Sequence, residues 1–411
     1  MMRSLNARGA AATGLRVTLL LTVAIAISLA ALKWLPAPYV WIALAWATTC
    51  LLAMRTVATT AMRVLWLNLG VIAATLGALE AWARTSLARP SASTTTYTPE
   101  AYHQPDDILG RTYTPSRVTR VRKWYGTTLL YDVTYTIGPD GLRVSPPGRG
   151  GPPTACVIFF GDSFTFGEGL NDTETLPYRV GAIGGGRFVV YNFGFHGYGP
   201  HQMLSALEHG RVASILKCRP THVIYSAIRD HVARVVALNT WGGHDPRYRL
   251  EPGGSVRYDG HFDGDKPPVR SRLGARVHKQ LGKSALYLWI TSRRRRVTEQ
   301  DLELFVGIVA QARRIVESSY PGCVFEILLW NGEPDEATEA RGLNGRRPSD
   351  IEWALRRVGF APRIVENILP SYQVDSASYI LSPFDAHPSA RANDLLARYV
   401  VRSIIEGPHR P

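Results

Sequence analysis

The sequence predicts an α/β protein: a doubly wound parallel sheet preceded by three apolar helices and a small β-rich segment. Three observations predict it. From about residue 155 onward, short apolar runs alternate with longer segments of helical character. Upstream, within 108–150, one stretch alternates apolar and polar residues with a period of two. At the N-terminus, three charge-free apolar runs fall within the first 84 residues.

The N-terminal runs are Val17–Leu32, Trp34–Met54 and Val64–Leu79. A bilayer crossing needs about 20 mainly apolar residues, and Lys33, Arg63 and Arg84 can snorkel at the edges. Three transmembrane helices are therefore expected within 1–84. Arg3, Arg8 and Arg16 precede the first run, Arg55 and Arg63 separate the second from the third, and only Lys33 lies between the first and second. The positive-inside rule then puts the N-terminus in the cytoplasm of an inner (plasma) membrane, with everything after Arg84 periplasmic or extracellular. Insertion of only two spans would leave that part in the cytoplasm.

Residues 85–107, rich in Ser, Thr, Pro and Ala, read as a linker. Residues 108–150 read as a small β-rich subdomain. Tyr131, Val133, Tyr135 and Ile137 share one face of a strand, and Gly138-Pro139-Asp140-Gly141 turns the chain back into Leu142-Arg143-Val144.

Residues 151–411 form the main domain. Strands are expected near 156–160, 187–193, 221–228, 323–330 and 362–368, and helices near 200–216, 299–319, 349–358 and 389–405. The insertion 239–285 breaks the alternation with Trp241, Tyr248, Tyr258, Phe262 and many glycines. Arg249–Arg257 reads as a hairpin within it, and long insertions often bind ligands. Cys50 falls in an apolar run. Cys156, Cys218 and Cys323 stand at or just before strand starts, so one disulfide is possible with one cysteine left over. No spacing suits a zinc site, and neither a metal nor a cofactor is expected.

Ser163 carries the functional reading. The run Val157-Ile158-Phe159-Phe160 is a buried strand that leads directly into Gly161-Asp162-Ser163. A serine at the carboxyl end of a parallel strand lies where such sheets place ligands. Far downstream, Asp385-Ala386-His387-Pro388 offers a carboxylate and an imidazole before the last helix. Serine, histidine and aspartate are the parts that activate a hydroxyl for attack on an ester. After Phe188-Val189-Val190, the segment Tyr191–Gly199 holds glycines at 194, 197 and 199, whose backbone can approach a bound group closely.

With these blocks in this order, the chain resembles the SGNH (GDSL-type) hydrolases over about residues 150–405. The resemblance implies a flavodoxin-like three-layer sandwich. It implies that Ser163 is the nucleophile, His387 the general base and then acid, and Asp385 the group that orients His387. It also implies an oxyanion hole from the Ser163 and Gly197 amides. One block departs from the family, which usually closes its next strand with Gly-x-Asn-Asp, the Asn donating to the oxyanion. Here His222–Ile228 ends in Arg229-Asp230-His231. One missing donor costs about 2.7–4 kcal/mol of barrier. Arg229 or His231 replaces it, or the rate is modest, or catalysis has been lost. Asp162, His196, Asp230, His231 and Trp241 are the candidates for substrate binding.

The net charge of +14 divides unevenly. Residues 1–84 hold seven basic residues and one acid, which leaves 40 basic and 32 acidic residues for the rest. Nearly half of the excess is thus membrane topology. No nucleic-acid module appears, and Arg293–Arg296 reads as a solvated or membrane-surface loop. The partners expected are a lipid bilayer and an acylated carbohydrate or other ester. The expected function is a membrane-anchored esterase of short acyl groups. The alternatives are an O-acetyltransferase with a separate membrane partner for acyl supply, and a non-catalytic glycan-binding or assembly protein.

Overall fold

The computed structural model describes residues 2–87, 93–238, 244–262, 280–294, 297–331 and 348–407. The chain divides into two compact units, Met1–Pro90 with Pro267–Arg295, and Ser91–Lys266 with Arg296–Pro411.

The first unit is built on α1 (Met2–Trp34), α2 (Pro38–Thr56) and α3 (Thr60–Leu87). All three are long and apolar enough to cross a membrane. Large apolar side chains such as Leu19, Leu44 and Ile72 face outward, while Ala24, Ala31, Ala53 and Ala83 are buried between helices. Small residues allow that approach. A Cβ on Gly77 would come within 2.8 Å of Ala43 Cβ.

A fourth helix, Ala285–Arg294, belongs to this unit and packs on α3. Its N-terminus is capped by Glu80 of α3. The Glu80 carboxylate accepts from the Ala285 amide at 2.7 Å, the Leu286 amide at 3.0 Å and Ser284 Oγ at 2.6 Å. A carboxylate suits a helix N-terminus because the first amides lack intrahelical partners. The insertion therefore does not lie wholly in the main domain. The hydrophobic pattern of a ten-residue helix carries no mark of which unit it joins.

The second unit centres on a five-stranded sheet in the order β12-β11-β8-β6-β7. These strands are β6 (Ala155–Phe160), β7 (Phe188–Asn192), β8 (His222–Ile228), β11 (Val324–Trp330) and β12 (Arg363–Ile364). All neighbours are parallel. Numbered within the sheet, the order is 2-1-3-4-5, the flavodoxin-like winding, whose direction reverses between β6 and β8. Side chains alternate between faces. Ile158 and Phe160 enter one core with Tyr225 and Leu329, while Val157 and Phe159 enter the other with Ile224 and Leu328. The first core packs beneath α6 (Pro200–Glu208) and the helix Glu299–Ser319, and the second beneath α5 (Leu176–Ile183) and the helix Ala390–Val400.

Expected and observed elements differ at a few points. The helix expected over 200–216 breaks at Gly210, left-handed at φ 69°, and resumes as α7 (Arg211–Ile215). The strand expected over 362–368 is only Arg363–Ile364, followed by the 3₁₀ turn Val365–Asn367. The hairpin expected over Arg249–Arg257 forms from β9 (Pro246–Leu250) and β10 (Val256–His261). Part of the expected linker is a strand: β1 (Ser93–Thr98) pairs with β4 (Arg117–Tyr125), which pairs with β5 (Thr128–Ile137). The run Thr94-Thr95-Thr96-Tyr97 has the β-branched and aromatic character of a strand. β2 (His103–Asp106) and β3 (Gly110–Tyr113) form a separate hairpin, and Tyr102 beside it packs edge-on against Tyr135 of β5. Arg143 then bridges β5 to β7, tying the small sheet to the main one.

The cysteine question resolves as a Cys156–Cys218 disulfide, with Cys50 and Cys323 free and buried.

Candidate active site

Ser163 opens the short helix α4 (Ser163–Phe166) directly after β6, at the point where the sheet's winding reverses. Asp162 is its N-cap and accepts from the Phe164 amide at 3.0 Å. Gly161 is required here, because a Cβ would meet Thr165 Oγ1 at 2.2 Å. His387 and Asp385 arrive on β14 (Asp385–Pro388), hairpinned with β13 (Ile380–Ser382). The hairpin ends where Ser389 caps the last helix through the Ala392 amide.

These elements bring three sequence-selected residues into one line. Ser163 Oγ lies 2.8 Å from His387 Nε2, and His387 Nδ1 lies 2.5 Å from Asp385 Oδ1. Asp385 is buried, and its carboxyl is held below the usual range. Burial opposes that shift, but hydrogen bonds and charge from His387 and Lys123 outweigh it. An ionised Asp385 must accept, so Nδ1 carries a proton, and whenever the ring is neutral Nε2 is the nitrogen that can accept from the serine hydroxyl.

The oxyanion candidates behave differently from one another. The amides of Ser163 and Gly197 donate to no group among the described residues. The turn carrying Gly197 is drawn to the Ser163 turn by Phe195, whose amide donates to Gly161 O at 3.3 Å. Asn192 adds a bond from Nδ2 to Thr165 O at 3.2 Å. A Cβ on Gly194 would meet the Phe166 nitrogen at 2.6 Å, so this approach needs glycine. The Arg229 carbonyl accepts from the Val232 amide at 3.2 Å, and its side chain makes no hydrogen bond or ion pair among the described residues.

Two substrate-binding candidates are corrected. Asp162 and His231 are fully buried and lie beneath the serine turn rather than facing a ligand. Arg234, on α8 (Asp230–Arg234), donates to Asp162 Oδ2 at 2.9 Å and to Tyr198 O at 2.6 Å. His231 Nε2 lies 3.5 Å from the same carboxylate oxygen, and His231 Nδ1 lies 2.6 Å from Tyr225 Oη. Burial opposes ionisation of Asp162, yet Arg234, with His231, holds its carboxyl well below the usual range. Burial pushes His231 down. The strand end that departs from the expected pattern therefore braces the Ser163 turn from below. Asp230 is exposed at the start of α8, and Trp241 lies outside the described residues. His196 is half-buried and shares Glu168 with His387.

Several site residues escaped sequence reasoning. Lys123 of β4 sits 2.8 Å from Asp385 Oδ2 and 3.1 Å from Glu168 Oε1. Glu168 Oε2 lies 2.8 Å from His196 Nδ1 and 3.3 Å from His387 Nε2. Tyr131 donates to Glu168 Oε1 at 3.2 Å, and Tyr102 Oη meets His196 Nε2 at 2.6 Å. Arg143 is fully buried and anchors the loop after α4 by donating to the carbonyls of Phe166, Gly167 and Leu170. The one visible signal was the Gly167-Glu168-Gly169 sequence, a charged residue between two backbone hinges five positions after the serine.

Glu168, Asp385 and His387 each bring one donor atom within 4.8 Å of the others. The protein itself supplies a cation there, since the Lys123 ammonium touches both carboxylates. At the rim beside Asp385, Tyr125 and Phe384 stack at 4.2 Å between centroids, both exposed.

No family model matches the chain, and no curated protein matches it. Solved structures overlap it loosely. One is a member of the lipolytic protein G-D-S-L family from Veillonella parvula, 11% identical over 61% of this chain and 98% of its own, with a TM-score of 0.34. Another is an α/β hydrolase enzyme from the metagenome of Lake Arreo, 14% identical over 63% and 99%, with a TM-score of 0.32. A third is a carbohydrate esterase family 2 enzyme with its carbohydrate-binding domain from Corynascus thermopiles (Myceliophthora fergusii), 13% identical over 75% and 85%, with a TM-score of 0.32. Overlaps this loose assign no reaction.

Proposed function

We propose that the chain is a membrane-anchored serine esterase of the SGNH (GDSL-type) kind. It removes short acyl groups, and O-acetyl esters on an envelope polysaccharide are its substrate class. The observation that carries this reading is the hydrogen-bonded line Ser163–His387–Asp385 at the sheet's switch point. Ser163 Oγ attacks the ester carbonyl while its proton passes to His387 Nε2. The free amides of Ser163 and Gly197 take the oxyanion charge. The imidazolium then protonates the leaving alcohol, and water, deprotonated by the same ring, releases the acid.

The carbohydrate assignment is supported by the exposed Tyr125–Phe384 stack beside Asp385, since aromatic faces suit the apolar side of a sugar ring. Anchoring is supported by α1–α3 and by the distribution of Arg3, Arg8, Arg16, Arg55 and Arg63. An exported second unit is supported by the Cys156–Cys218 disulfide, which persists in oxidising compartments.

The test is hydrolysis of p-nitrophenyl acetate and of an acetylated oligosaccharide by the full chain in detergent, beside Ser163→Ala. Hydrolysis of both that vanishes in the variant supports the reading. Acetyl transfer to an added sugar, without net release of acetate, would make the chain a transferase using the same residues. A folded chain inert in both assays would overturn catalysis.

A further inference from the structure

Asp385 is one of two carboxylates on the catalytic imidazole. Glu168 Oε2 lies 3.3 Å from Nε2, the nitrogen that also meets Ser163 Oγ. This placement is built in. The Glu168 amide donates to Ser163 O at 2.9 Å. The residue stands between Gly167 and Gly169, at φ 86° and 77°, both in the left-handed region that favours glycine. A Cβ on Gly169 would meet Leu381 Cδ1 at 2.2 Å. Tyr135 Oη accepts from the Gly169 amide at 2.8 Å, and Arg143 holds the Gly167 carbonyl.

We propose that Glu168 is a positioning residue for His387: it pairs with Nε2 as Asp385 pairs with Nδ1, holding the resting ring as an imidazolium that becomes a base only when the Nε2 proton leaves. The proposal rests on the esterase reading. In the neutral ring, the Nε2 lone pair faces a carboxylate oxygen, which is repulsive. Protonation turns that contact into an ion pair. The imidazolium has no lone pair for the serine proton, so Ser163 is activated only after the ring gives its Nε2 proton to solvent.

The groups facing this pair come from every neighbouring element. His387 meets Asp385 on its own hairpin, Ser163 and Phe164 on α4, Glu168 on the following loop, and Lys123 near the two carboxylates. Glu168 meets Lys123 on β4, Tyr131 on β5 and His196 after β7. With the ring protonated, the cluster of Lys123, Glu168, Asp385 and His387 is neutral. Without that proton it carries one negative charge. The balance of effects agrees: burial alone pushes His387 down, but Glu168 first and Asp385 next outweigh it and raise its pKa, against the opposing charge of Lys123.

The test is an NMR titration of the His387 imidazole in the histidine-labelled full chain in detergent micelles, assigned with His387→Gln. The wild-type midpoint is expected above the ordinary histidine value. Glu168→Gln should lower it by about one unit or more, the usual effect of losing one close opposite charge. Lys123→Met should raise it. An unchanged midpoint in Glu168→Gln, with the other histidine resonances still dispersed, overturns the proposal. Should Glu168→Gln fail to fold, Lys123→Met decides, because a midpoint that stays or falls there overturns it equally. Labelling of Ser163 by a fluorophosphonate, followed against pH, reports separately on the esterase reading. Its absence would remove that reading and leave the titration result standing.

Discussion

The Lys123 ammonium lies 2.8 Å from Asp385 Oδ2, across 262 residues of sequence. A strand of the small antiparallel sheet thus completes the environment of a carboxylate carried on the β13–β14 hairpin. The small sheet is part of the site. Asp385 spends one oxygen on His387 Nδ1 and the other on Lys123. Asp385→Asn should therefore cost about 10⁴-fold in kcat, as amide replacement does in serine-protease triads, because the ring loses its tautomer control. Steady-state ester hydrolysis by the full chain checks this, and a loss below tenfold would speak against Asp385 as the orienting group.

Gly194→Ala tests the proposed oxyanion turn without touching Ser163, His387 or Asp385. The added methyl must displace either the Phe166 backbone or the turn leading to Gly197. Activity should fall about 10²–10³-fold, the cost of one misplaced donor. Circular dichroism should show the sheet intact.

The brace beneath the serine is a stability element. Arg234→Met leaves the Asp162 carboxylate buried without its main partner. Removing one member of a buried pair costs about 3–5 kcal/mol. Denaturant unfolding of the variant should show a loss of that order, and a change under about 1 kcal/mol would mean that His231 carries the charge alone.

Glu80 predicts how the chain tolerates truncation. Glu80→Ala removes the acceptor of two amides and one hydroxyl at the start of the helix Ala285–Arg294. Each unsatisfied buried donor costs about 1–3 kcal/mol. Hydrogen exchange should show the Ala285 and Leu286 amides losing protection. A fragment beginning near residue 91 should aggregate, because it keeps this helix and loses its partner α3. A monodisperse fragment would argue that the helix is stable without Glu80.

Much of this molecule was legible in one dimension. The apolar runs of α1–α3, the strand ending at Gly161, the hairpin after Pro246 and the final helix after Pro388 are local patterns. Ser163, Asp385 and His387 stood out because each follows or precedes a strongly patterned element. Lys123 did not, since a lysine in an alternating strand resembles any solvated position. Asp162 and His231 were misread for a related reason: polar residues at a strand's carboxyl end can face the crevice or turn beneath it, and burial alone separates the two.

By itself the sequence determined the α/β class, the three long apolar helices and the chemical parts of the site. Periodicity, length and charge act between near neighbours in the chain, so they can be read there. Only the tertiary structure decided that Glu168 closes on His387 and Lys123 on Glu168 and Asp385, that Arg234 anchors the serine turn, and that Glu80 captures a helix about 200 residues away. Those contacts join elements whose separation in sequence carries no trace of their meeting. They are set by how the two faces of the sheet are covered and by which buried charges must find a partner.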